Sequence, residues 1–134
     1  SARAETAGRK VGIYALFHMI IADSDDEARR IGQNIIDQAD NGALENILAS
    51  AALDTNTGGT SDQLKAGLNQ SLEDGNLAFM GIPVIHGSAA TVARKIEAIG
   101  RDTGVDGMLF SWPDFVTGCR NFGENVMPLL DRSA

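Results

Sequence analysis

The sequence is poor in the residue types that carry the most conspicuous chemistry. It has one cysteine, Cys119, and two histidines, His18 and His86. A lone cysteine closes no internal disulfide, and no Cys/His cluster has metal-ligand spacing, so neither a disulfide scaffold nor a metal site is expected. That usage fits a reducing, cytoplasmic compartment. Basic residues are also few: 11 Lys and Arg against 18 Asp and Glu give a formal net charge of −7. The cations are scattered, with only Arg9-Lys10, Arg29-Arg30 and Arg94-Lys95 adjacent. Nucleic-acid footprints are basic patches or stripes, so no nucleic-acid partner is expected. Long hydrophobic runs are missing as well. The longest, Ile13 to Ala22, is broken by His18 and is too short to span a membrane. No signal peptide is visible, but the chain also lacks an initiator Met. The missing leader therefore excludes nothing, and the expectation is a piece of a longer protein that begins at a cut point.

What remains is ordinary for a globular domain: 43% hydrophobic and 22% charged residues in 134, enough to bury a core. Val11 to Ala22 reads as a strand buried on both faces. Its odd positions, Val11 through Ile21, are all apolar, whereas its even positions include Tyr14 and His18. The uniform face is expected to meet helices and the other to look elsewhere. Ser24-Asp25-Asp26-Glu27 is a capping box, and Ala28, Ile31, Ile35, Ile36 and Ala39 follow at helical spacing. A second helical pattern runs from Leu44 to about Leu53. Residues 54–60 are polar and glycine-rich, the composition of a loop, and Ser61-Asp62 caps a short helix through Leu72. Ile82 to His86 is a short strand, followed by Gly87-Ser88 and a helix with Val92, Ala93, Ile96 and Ile99 inside. Val105 to Ser111 is a further strand, and Pro113-Asp114 opens a last helix that buries Phe115, Phe122, Val126 and Met127. Strand-helix alternation of this kind builds a parallel sheet, so the fold class is α/β. Three units do not close a (β/α)8 barrel, which takes eight.

Four segments carry a family resemblance. Residues 14–28, YALFHMIIADSDDEA, are similar to a late barrel strand of the luciferase-like flavin monooxygenases and the helix start that follows it. Residues 84–93, VIHGSAATVA, resemble that family's hydrophobic-G-[ST]-x-x-x-VA segment. Residues 104–115, GVDGMLFSWPDF, resemble its last barrel strand, and residues 122–130, FGENVMPLL, its closing helix. The four occur in the right order over nearly the whole chain, with a flavour closest to pyrimidine (uracil) monooxygenases. The resemblance implies that residues 1–134 are the C-terminal portion of a (β/α)8 TIM barrel, three βα units plus inserted helices. It further implies reduced FMN supplied by a separate NAD(P)H:flavin reductase, O2 as cosubstrate, and a small-molecule substrate. The family's phosphate contacts lie upstream, so the fragment alone is expected to be inactive.

Within that frame His18 is the candidate catalytic residue, because the C-terminal ends of barrel strands meet the active site and a histidine there moves a proton. The competing reading is a hydrogen-bonded core histidine. Trp112 and Ser111 are candidates for flavin contact, with the indole as a ring wall. Tyr14 and Asp114 are candidates for substrate contact, although Asp114 also has the sequence setting of a helix cap. Ser88 at a helix N-terminus suits an anion, or simply its own N-cap role. Cys119 and the four methionines are expected to be buried filler. None of the three strands carries an edge-blunting Lys, so the isolated chain is expected to self-associate as a homo-oligomer. The alternatives are a sulfone or alkanesulfonate monooxygenase and a non-catalytic α/β interaction module.

Overall fold

The computed structural model describes residues 6–52, 77–79 and 81–130. The helix expected from Ser61 to Leu72, the loop before it and Met80 lie outside them. In chain order the elements are β1 (Tyr14–Ile21), α1 (Asp25–Asp37), α2 (Asn41–Ala52), β2 (Leu77–Phe79), β3 (Ile82–Gly87), α3 (Ala89–Thr103), β4 (Gly107–Ser111) and α4 (Phe115–Asn121). The last of these runs on into a π turn, Phe122–Val126, and a 3-10 turn, Met127–Leu129.

The helices start where local chemistry dictates. Ser24 caps α1 by accepting from the Glu27 amide, and Asp25, Asp26 and Glu27 place negative charge at the positive end of the helix dipole. Ser88 caps α3 through the Thr91 amide, and Gly104 ends it in the left-handed conformation. The four strands form one sheet in the order β2-β3-β1-β4. β1 runs parallel to both β3 and β4, while the short β2 is antiparallel to β3.

This order puts β1 in the centre of the parallel part. The α/β class with βαβ units is as expected, but the order is not that of consecutive barrel strands, which lie side by side in chain sequence. Here β4 returns past β3 to the far side of β1, and helices cover both faces. The odd positions of β1 lie under α3: Met19 is fully buried with Ile85, Val92, Ala93 and Val126, and Phe17, Ile21, Ile96 and Phe110 pack around them. On the even face Ile20 meets α1 at Gly32, where a Cβ would stand 2.4 Å from Leu77 and 3.2 Å from Ile20. Glycine at this position lets the helix lie directly on β1 and β2.

Several expectations shift. Val11 and Ile13 are exposed and lie outside β1. The Ile13 amide instead donates to the Asp106 carboxylate at 2.8 Å, and the Asp106 amide to the Ile13 carbonyl at 2.8 Å. Phe115 and Met127, expected inside, are 59% and 42% exposed: α4 turns Gly118 inward instead of Phe115, and Met127 lies in the 3-10 turn beyond that helix. Cys119 is exposed for the same reason: its neighbour Gly118 takes the inward position.

Candidate functional site at the C-terminal ends of β1 and β4

In a doubly wound sheet, ligands bind in the crevice outside the carboxyl ends of the strands, at the point where successive connections leave in opposite directions. In this sheet that point lies between β1 and β4. A cavity of about 290 Å3 opens there, with His18, Ser111, Phe79, Ile35, Trp112 and Phe115 among its walls. A smaller one of about 150 Å3 lies on the other side of Trp112, between β1 and α4.

His18 and Ser111 are side-by-side partners in the β1–β4 register, which places both side chains on one face at one height. The Ser111 hydroxyl is hydrogen-bonded to His18 Nδ1. Burial disfavours the imidazolium and lowers the His18 pKa below its ordinary 6.5. The ring of Phe79 stands 6.0 Å from the His18 ring at 60°, contributing to that dry setting. A neutral imidazole with Nδ1 engaged leaves Nε2 as the nitrogen able to hold or pass a proton.

Trp112 forms the opposite wall. Its indole packs among Phe110, Phe115 and Phe122, with ring centroids 6.3, 5.9 and 6.0 Å away. The backbone of α4 closes on it at Gly118, where a Cβ would lie 2.3 Å from Trp112 Cγ. That glycine was not singled out in the sequence, and only the three-dimensional approach reveals its role.

The other expected site residues separate. Tyr14 does not join the site: it is 63% exposed at the opposite end of β1, in register with Gly107. Period-two alternation assigned it correctly to the face of His18 but says nothing of height along the strand. Asp114 is the N-cap of α4, accepting from the Thr117 amide at 3.0 Å and the Thr117 hydroxyl at 3.2 Å. Those donors hold its carboxyl below the usual range, the backbone one most. It borders the smaller cavity and not the larger. The anion position at the start of α3 is filled from within: Asp25 accepts from the Ser88 amide at 2.7 Å and the Thr91 hydroxyl at 3.0 Å. These bonds, the Ser88 amide first, lower the Asp25 pKa. Lys95, its own pKa lowered chiefly by burial, donates to the carbonyl of the buried His86. Among the described residues no group of His, Cys, Asp and Glu is arranged to hold a metal ion.

Comparison with known proteins finds pyrimidine monooxygenases among the relatives of this chain. The chain is 34% identical to pyrimidine monooxygenase RutA of Enterobacter cloacae over 128 residues, which is 95% of this chain and 34% of that protein. It is 32% identical over 129 residues to the RutA of Cronobacter turicensis, covering 96% of this chain and 33% of the relative. With RutA of Escherichia coli the identity is 32% over 127 residues, again 95% of this chain and 34% of the relative. This likeness to pyrimidine monooxygenases along nearly the whole chain supports the luciferase-like monooxygenase resemblance. It spans about a third of the length of the curated relatives it matches. No family model matches the chain. Among the described residues no helix is long and apolar enough to cross a membrane.

Proposed function

We propose that this chain is one part of a flavin-dependent monooxygenase that inserts an oxygen atom from O2 into a small ring compound of the pyrimidine class, such as uracil. The observation that carries this reading is the His18–Ser111 pair set in an apolar cavity between Phe79 and Trp112, in a chain related along 95% of its length to pyrimidine monooxygenases. The cavity suits a flat, neutral ring. Among the described residues no Lys or Arg lines it, which disfavours a sulfonate, whose full charge would be left unpaired. The same argument divides the flavin. The apolar walls suit its ring system, and among the described lining residues no cation is present to hold its phosphate. The proposed whole is a longer enzyme, about three times the length of this chain, to which residues 1–134 contribute an α/β portion. Its FMN is reduced by a separate NAD(P)H:flavin reductase, and it works in the cytoplasm.

When bound, reduced FMN supplies the electrons with which O2 is activated. The residues of this chain do the rest of the work in this region. Trp112 and Phe79 hold a ring between them and keep water out. Ser111 fixes the His18 imidazole by its Nδ1, and the depressed pKa keeps that ring neutral at pH 7, ready to pass a proton at Nε2. Tyr14 and Leu16 on the bare part of the sheet, 63% and 45% exposed, support a homo-oligomer in which a second copy covers them. In the full-length parent supplied with reduced FMN, O2 and uracil, His18→Ala and Trp112→Ala are each expected to lower turnover by ~10-fold or more. Wild-type turnover in both folded variants would remove the site from this chain.

A further inference from the structure

Trp112 is the single tryptophan of the chain. Among the described residues its buried indole nitrogen has no hydrogen-bond partner. Indole N–H groups that are buried usually find an acceptor, and one that does not calls for an explanation. The side chain cannot turn to water, because the α4 backbone at Gly118 lies against it and three phenylalanine rings surround it. The ring of Phe115, at 83° to the indole, is at best a weak acceptor. The indole also stands in the wall common to both cavities, since Ile20, Trp112 and Pro113 line each of them. The polar side chains among the described residues lining the larger cavity, His18 and Ser111, are bonded to each other.

Resting on the proposed function, we infer that the Trp112 indole N–H is a specificity-determining donor that takes a ring carbonyl oxygen of a cyclic amide or imide bound in the cavity. This differs from a wall role. Stacking on the indole face is indifferent to a carbonyl, whereas the N–H is not. An apolar ring of the same outline fills the space and leaves the donor unpaired, and sites built to hydrogen-bond a polar group reject analogues that lack it. Because the indole nitrogen is covered, a ring around it has to move to admit the oxygen, and Phe115, 59% exposed and lining the larger cavity, is the one placed to do so.

A chain with one tryptophan shows one indole N–H cross-peak in a 1H–15N spectrum, so the donor can be watched directly. The probes are uracil, with two ring carbonyls, and pyrimidine, with the same ring and none. Both are expected to shift the backbone amide signals of His18 and Ser111. Only uracil should move the indole signal downfield and slow its exchange with solvent, and it should bind about tenfold more tightly than pyrimidine. Trp112→Phe keeps an aromatic wall without the donor and should reduce that preference to about twofold or less. The wild-type indole signal decides the matter even where the Phe variant does not fold. If uracil shifts His18 and Ser111 but leaves the indole signal in place, the inference is overturned and the cavity's taste for rings stands. If neither compound shifts His18 or Ser111, the proposed function fails and this inference with it.

Discussion

The two ends of the sheet share β1, which pairs with β4 over Tyr14–His18 and with β3 over His18–Ile21, and they differ in what lies over them. At the C-terminal end, α1 crosses the even face at Gly32, β2 supplies Phe79, and α4 presses Gly118 onto Trp112. His18 and Ser111 therefore sit in a largely dry cavity. At the N-terminal end the same face carries Tyr14, Leu16 and Leu109, exposed by 63%, 45% and 56%, with Leu16 and Leu109 side by side in the register. Apolar side chains occur at both ends. Cover depends on where glycine allows a helix to approach, and cover closes a cavity over the His18–Ser111 pair. The bare end is a surface that needs a partner.

Three substitutions test that contrast, and the first bears on the covered end. Met19 is fully buried in the core under α3, so Met19→Ala should cost about 2–5 kcal/mol in chemical denaturation, through lost burial and the cavity left behind. A loss below about 1 kcal/mol would mean that this core collapses around the gap or is not packed as described. Next, Gly118→Ala inserts a methyl group into the indole. Displacing Trp112 or α4 should cost about 1–3 kcal/mol and shift the emission of the single tryptophan to the red as its ring meets water. Unchanged emission would place the indole elsewhere. The smallest effect is expected at the bare end. Leu16→Ala should change stability by no more than about 0.5 kcal/mol, while lowering the mass seen by light scattering if a second copy covers this face. A large loss of stability in the monomer would show that Leu16 is buried in the single chain.

Much of the fold was legible in the sequence because much of it is local. The caps at Ser24, Ser88 and Asp114 act within three residues, so hydroxyl and carboxylate spacing revealed them. The strands were found to within a few residues: β1 is Tyr14–Ile21 inside the expected Val11–Ala22, and β4 is Gly107–Ser111 inside Val105–Ser111. Alternation assigned Phe17, Met19 and Ile21 to the helix-covered face. Strand order was not legible. Periodicity fixes which face a residue takes and not which strand lies beside it, so β4 pairing with β1 could only be seen in the sheet. The three-residue β2 is too short to have a period. Tyr14 was misplaced along the strand and Cys119 around its helix, both because a repeat pattern carries direction without position. In the site, His18, Ser111 and Trp112 were each visible as residues near strand ends. Their convergence depended on the His18–Ser111 register, and the contributions of Phe79, Gly32 and Gly118 on close approaches that no spacing encodes.

The titration of His18 tests the central claim most directly, namely that the covered end of the sheet holds a dry, serine-paired imidazole. The chain has only two histidines, so their ring signals can be assigned by single substitution and followed against pH. Burial favours the neutral ring in the folded chain, and its midpoint should fall below 6.5. By linkage, the stability this contributes is full above pH 6.5 and is lost as the pH falls from there through the folded midpoint, where the unfolded chain binds the proton more readily. A His18 midpoint below 6.5, with stability declining in that window, is the predicted result. A midpoint at or above 6.5 would mean that the imidazole faces water or a carboxylate, and would contradict the account.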